Sequence, residues 1–239
     1  MKAIIFSHGE KGGVGKSTVA SVLVDALRFG AQKRVILIEG DVRTDDVFNR
    51  YREHVQAVKF NLADQSHYQN AVSKMLEFVE QNADRADAFV VNLPATATAT
   101  IDRDVEMIAA ALAGCSIDMR VVYSASSNPA GISTVAESFE RGLASHATRS
   151  ILLAQEFFGD DDLVCKLKSI TGSVAVFPAL ASYTYSAVME KPEVPLSMLA
   201  DKNCAQSLDT FIQRIRLANW LDRATKTLKP IINDFMPQE

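Results

Sequence analysis

The stretch Lys11-Gly-Gly-Val-Gly-Lys-Ser-Thr18 constrains this chain more than any other. It follows an apolar run over residues 2–7 and precedes a segment in which Val19, Val22, Leu23 and Ala26 recur at helical spacing. A glycine turn between a strand and a helix has a specific chemical use. Glycines let the backbone curl until successive N–H groups point at one anion. A helix starting at Ser17 adds its positive end to the same point. Lys16 supplies a point charge for β- and γ-phosphates, and the Ser17 hydroxyl is a ligand for Mg²⁺. The loop therefore reads as a phosphate cradle.

The rest of the chain repeats that grammar. Six short runs rich in β-branched residues, at 2–7, 34–38, 88–91, 119–123, 150–153 and 174–177, are separated by longer helical patterns. The runs are apolar throughout rather than alternating, as in parallel strands covered on both faces. One intervening helix is marked by Val72, Met75, Leu76 and Val79. The expected fold is α/β, a doubly wound and mostly parallel sheet in three layers. It forms one nucleotide-binding domain over residues 1–239, with an α/β core at 1–200 and a helical region at 201–239. Residues 95–100 read as a mobile loop, and 178–195, with three prolines, as a surface loop leading to a short helix. Asp160, Asp161 and Asp162 read as an acidic helix start.

Composition narrows the function classes. The net charge of −4 gives no whole-molecule attraction to nucleic acid or an anionic membrane. The three cysteines, Cys115, Cys165 and Cys204, lack metal-ligand spacing and suit reduced thiols. No run of 18 apolar residues occurs, so a cytoplasmic protein is expected. His8 lies beside the glycine loop and reads as a local hydrogen-bonding residue.

A second lysine, Lys11, stands ahead of the glycines, and Glu10 occupies the usual first-glycine position. This K-G-G-x-G-K-[ST] order resembles the deviant Walker A loop of ParA/MinD-type ATPases. The resemblance implies that Lys11 reaches across a nucleotide-sandwich homodimer to the partner's phosphates. It also implies ATP and Mg²⁺ as cofactors, and no guanine-type N-K-x-D sequence occurs. After the second strand, Glu39-Gly-Asp41-Val-Arg43 stands where those proteins have D-x-D-P-Q. Asp41 is then the candidate for orienting water and holding a magnesium-bound water. After the third strand, Asn92-Leu-Pro94 stands where they have an acid, D-x-P. An amide oxygen accepts a hydrogen bond but brings no charge to the metal. Weak Mg²⁺ affinity and slow hydrolysis follow as expectations, with Asn92→Asp raising turnover. Gln155 and Pro178 are candidate base contacts.

From Lys202 to Lys229 there are six basic residues to two acidic ones. Arg214, Arg216, Arg223 and Lys226 are candidate DNA-phosphate contacts, with a solvated helix face as the competing reading. Such contacts would add nucleoid association. Leu208, Phe211, Ile212 and Ile215 read as a core-facing stripe. The tail at 228–236 is expected to pack against the body rather than anchor in a membrane. The pattern looks most like the plasmid-borne StbB and TraL-like branch, implying a role in plasmid partition or conjugative transfer through a plasmid-encoded partner or DNA-binding adaptor. A carboxylate-activating ligase on the same scaffold and a non-hydrolysing nucleotide sensor are the alternatives.

Overall fold

The computed structural model describes residues 2–126, 128–159 and 161–237. The six expected strands are present, with ends shifted by at most two residues, and a seventh joins them. They are β1 (Ala3–Gly9), β2 (Val35–Glu39), β3 (Gln56–Lys59), β4 (Ala88–Asn92), β5 (Asp118–Ala125), β6 (Arg149–Gln155) and β7 (Ala175–Phe177). All pair parallel, in the order β3-β2-β4-β1-β5-β6-β7. The order reverses beside β1, so the carboxyl ends of β1, β2 and β4 open onto one crevice where such sheets bind ligands.

Alternation along each strand feeds two apolar layers. On one face Ile5 of β1, Leu37 of β2 and Val90 of β4 meet α1 (Lys16–Asp25). On the other, Ile4, Phe6, Ile38 and Val91 meet α3 (Tyr68–Gln81) and α5 (Val105–Gly114), with α4 (Ala97–Thr100) between them in the chain, while α2 (Asp46–Tyr51) adds Val47 and Tyr51 to the first layer. Val72, Met75 and Val79 of α3 are fully or almost fully buried, as their spacing requires. Helices α6 (Pro129–Arg141), α7 (Leu143–His146) and α8 (Asp161–Thr171) complete this second layer. Helix α1 starts at Lys16 behind Gly15 and runs into a π-helical turn, Ala26–Gly30.

Three expectations change. Residues 97–100 are the one-turn helix α4, which passes through a 3₁₀ turn (Ile101–Asp104) into α5, so only the entry of that segment is a turn. The 178–195 segment holds an eight-residue helix, α9 (Ser182–Met189), before the short α10 (Leu196–Ala200). Asp160 lies outside the described residues, and α8 begins at Asp161.

The stripe expected at Leu208, Phe211, Ile212 and Ile215 is the largest correction. Leu208 is buried, but Phe211, Ile212 and Ile215 are 64%, 58% and 42% exposed. Helix α11 (Phe211–Ile232) starts behind a Thr210–Gln213 capping box, and its first turn overhangs the body. Its buried face is Gln213, Leu217, Trp220, Ala224, Leu228 and Ile231, which repeats at three and four residues along a different stripe. Leu228, Ile231, Ile232 and Phe235 sit in the same apolar layer as α1, so the tail packs against the sheet.

Candidate functional site

The phosphate loop has the backbone its sequence demands. Gly13 and Gly15 take φ of 81° and 91°, in the left-handed region that favours glycine. Gly9, at the end of β1, is required for a different reason, because a Cβ there would lie 2.6 Å from the Ser124 carbonyl oxygen and 2.8 Å from Val14 Cγ2. Val14 is buried, whereas Lys11, Gly12 and Gly13 are exposed. Lys16 is only 8% exposed and its Nζ donates to the Lys11 carbonyl oxygen at 2.7 Å, closing the loop on itself. Burial brings its pKa from 10.5 down to about 8, against the opposing charges of Glu10 and Asp41. An anion placed beside it would raise that value again and hold the ammonium charged.

Gly15 offers a direct check on this geometry. A Cβ there would meet the Gln155 amide at 3.1 Å in a left-handed conformation. We expect Gly15→Ala to cost about 1–2 kcal/mol, read by thermal or urea unfolding. Gly12 has no close neighbour and no positive φ, so Gly12→Ala should stay within about 0.5 kcal/mol of the parent.

Two strand ends converge on Ser17. Asn92 Nδ2 donates to Glu39 Oε1 at 2.8 Å and lies 3.4 Å from Ser17 Oγ. Asp41 N and Phe48 N donate to the two Glu39 oxygens at 3.2 and 3.4 Å. Burial pushes the Glu39 carboxyl up to about 7, an effect that these three donors only partly offset. Asp41, half-buried, caps its own turn by accepting from Arg43 N at 3.2 Å. Asn92 Oδ1 is buried without a hydrogen-bond partner. Hydroxyl, amide oxygen and carboxylates are the oxygen donors a hard cation such as Mg²⁺ takes, so these residues fit that metal. Among the described residues no cluster of three or more His, Cys, Asp or Glu could hold a metal unaided. Phosphate oxygens would have to complete the set.

A cleft of about 670 Å³ runs from the loop past Asp41, Thr44 and Arg50 to Gln155, Pro178 and Trp220. Gln155 is buried against Gly15, and its Nε2 donates to Ser124 Oγ at 3.3 Å, so its amide lies at the phosphate end. The Pro178 carbonyl accepts Trp220 Nε1 at 2.8 Å, which ties α11 to the cleft rim. Phe177 packs edge-on to Trp220 at a centroid distance of 6.1 Å. Phe157, Tyr185 and Leu180 continue this aromatic and apolar lobe. Neither Trp220 nor Arg50 stands out in the sequence. A lone tryptophan near the carboxyl end was the available signal for the first.

His8 lies behind the loop rather than in it. It is fully buried, accepts from Gly9 N at Nδ1 (2.7 Å) and meets Asp102 Oδ1 through Nε2 at 3.1 Å. Of the basic residues on α11, Arg214 donates to the Leu208 and Asp209 carbonyls, Arg223 pairs with Glu156 and Lys226 with Asp222. Arg216 is exposed.

A seven-stranded parallel sheet with a glycine loop joining β1 to α1, a buried loop lysine and a serine at the helix start defines the P-loop NTPase fold. No family model matches the chain. Over 61 residues it is 41% identical to Protein MobD of Acidithiobacillus ferrooxidans, a match spanning 26% of each chain. Its fold is similar to that of a ParA family ATPase from Chlorobium tepidum TLS (TM-score 0.58, 11% identity, 92% of this chain and 97% of that one). It is similar also to an ATP complex of McdA from Cyanothece (0.55, 12%, 100% and 98%). MinD with Mg-ADP from Pyrococcus horikoshii OT3 is a third (0.55, 14%, 93% and 96%). The fold is therefore the ParA/MinD form of the P-loop NTPase.

Proposed function

We propose that this chain is a nucleotide-switched ATPase that binds ATP with Mg²⁺ in the cleft and dimerises around it. The observation that carries this reading is the closed loop, in which the buried Lys16 amino group rests on the Lys11 carbonyl. A buried ammonium whose one hydrogen bond among the described residues is to a carbonyl is a ready site for phosphate oxygens. Backbone amides of Gly12–Ser17 would wrap the β-phosphate, Lys16 would bridge to the γ-phosphate, and the lobe around Phe177 and Trp220 would take the adenine. Bound Mg²⁺ would neutralise charge between the terminal phosphates. Ser17 would ligate it. Asp41, half-buried just beyond the end of β2, would orient the attacking water. The neutral Asn92 is the reason to expect slow turnover.

The fold neighbours include one protein bound to ATP and one bound to Mg-ADP, which supports this choice of ligand. Lys11, exposed at the loop's leading edge, would contact the phosphates of a second copy. The nucleotide state would then gate a partner protein or DNA-bound adaptor in plasmid partition or conjugative transfer. A direct DNA contact would run through Arg214, Arg216, Arg223 and Lys226, of which Arg223 and Lys226 now form exposed ion pairs and Arg214 bonds backbone carbonyls within the chain.

The test is apparent mass by light scattering without nucleotide, with ADP and with a slowly hydrolysed ATP analogue. We expect a dimer only with the analogue, and a monomer throughout for Lys11→Ala. A mass that ignores nucleotide in the parent, or an analogue-driven dimer that persists in Lys11→Ala, would overturn the switch.

A further inference from the structure

Glu10 stands where a phosphate loop usually has its first glycine, and its side chain is put to use. Strand β1 ends beside β5, with Gly9 in register with Ser124, so the two segments leave the sheet side by side. Glu10 Oε1 bridges them, accepting from Ser126 N at 3.1 Å and from Ser126 Oγ at 2.5 Å. Ser126 Oγ in turn accepts from Asn128 N at 3.4 Å, just ahead of α6. One oxygen therefore fastens the leading edge of the phosphate loop to the turn between β5 and α6. The other wall of this contact is Gly131, in the first turn of α6. A Cβ there would lie 2.9 Å from Glu10 Cδ, closer still to Oε1, and 3.0 Å from Ser126 Oγ. Gly131 has no positive φ, and inside a helix alanine is the better residue. The space filled by Glu10 is what calls for glycine.

Stability alone does not account for an acid here. Among the described residues Glu10 Oε2 is buried without a hydrogen-bond partner, an unfavourable place for a carboxylate oxygen. What the contact fixes is the residue before Lys11, the exposed loop lysine whose own carbonyl receives Lys16 Nζ. We propose that Glu10, held by Ser126 and Gly131, is a positioning residue for Lys11, presenting that lysine to a second copy of the chain. This rests on the nucleotide-switched dimer reading above. A lysine that enters an interface from a fixed backbone loses less freedom there than one on a loose loop. The Glu10 charge has a second use, because it opposes the effect of burial on Lys16 and favours the ammonium in the empty loop.

Two equilibria are measured for each variant. ADP affinity draws on the loop amides and Lys16, whereas dimerisation with a slowly hydrolysed ATP analogue draws on Lys11 as well. Glu10→Ala and Gly131→Ala break the same contact from opposite sides. Each should weaken analogue-driven dimerisation by about 5–30-fold, the equivalent of ordering one residue's backbone, and by more than it weakens ADP binding. The two substitutions together should cost no more than the worse of them alone, because they remove one shared interaction. Glu10→Gln keeps an oxygen acceptor for Ser126 and should recover most of the dimer. Parent-like dimerisation in Glu10→Ala, losses that multiply in the double variant, or an equal fall in ADP affinity would overturn the assignment. A parent that binds ADP but never dimerises would instead remove the switch reading, and this one with it.

Discussion

Lys16→Ala should lower ATP affinity by roughly 10–150-fold, the equivalent of the about 1.5–3 kcal/mol of a hydrogen bond to a charged group. The fold should survive. Lys16 is buried with its pKa already drawn down to about 8, so the ligand-free protein bears a desolvation cost that alanine removes. Among the described residues its amino group hydrogen-bonds only the Lys11 carbonyl, on an exposed loop residue. Melting temperature without nucleotide should therefore hold or rise as affinity collapses, and a fluorescent nucleotide titration beside a thermal melt separates the two. A variant that binds ATP like the parent would contradict the role given to Lys16.

The second large effect lies on the same face of the sheet as α1, nearer the amino-terminal end of β5, and is one of stability. Arg120 on β5 is fully buried, and its guanidinium holds Asp234 through two parallel bonds of 2.7 and 2.6 Å. It also donates to the Ile231 carbonyl and to Asp118. Arg149 reaches the same Asp234 carboxylate at 3.1 Å. This cluster fastens the end of α11 to the sheet. Asp234→Ala leaves a buried guanidinium short of its counter-ion, so a loss of about 3–5 kcal/mol is expected from urea unfolding. Pairing it with Arg120→Met should recover part of the loss, since two apolar groups strand no charge. The pair also sets an acid limit. Although burial raises the Asp234 pKa, the hydrogen bonds and charge of Arg120 outweigh it and hold the value below 3.8. A depressed carboxylate stabilises the fold above its unfolded pKa, so this contribution is complete near neutrality and is lost as pH falls below about 4 through the folded value. Equal stability of Asp234→Ala and the parent at pH 7 would show that the clasp contributes nothing.

The sheet was legible in the sequence where strands are buried on both faces. Val35 to Ile38 and Ala88 to Val91 are apolar without a break because helices cover them above and below. Strand β3 escaped notice because Gln56-Ala-Val-Lys59 is short, half-exposed and at the sheet edge, where no apolar run is needed. The helical spacing of Phe211, Ile212 and Ile215 was real but misleading. Periodicity shows that residues share a face, not that a partner covers it. Only the long-range packing of Leu217, Trp220 and Leu228 on α1's layer picks out the buried face.

The site divides the same way. Glycines 13 and 15, Lys16 and Ser17 are contiguous, and their chemistry is local. The Glu39–Asn92–Ser17 chain joins three elements far apart in sequence, so only the strand register reveals that the acid at 39 faces the amide at 92. Trp220 reaches the cleft from the far end of the chain, through one bond to Pro178.

Hydrogen exchange at the loop amides tests the central claim most directly, because it reads the N–H groups said to grip the phosphates. With Mg²⁺ and ATP added, the amides of Gly13 to Ser17 should gain strong protection, ADP should give part of it, and Lys16→Ala should lose most of it. Protection that appears elsewhere on the molecule, or no change at these five amides at saturating ATP, would mean that this glycine turn holds no nucleotide.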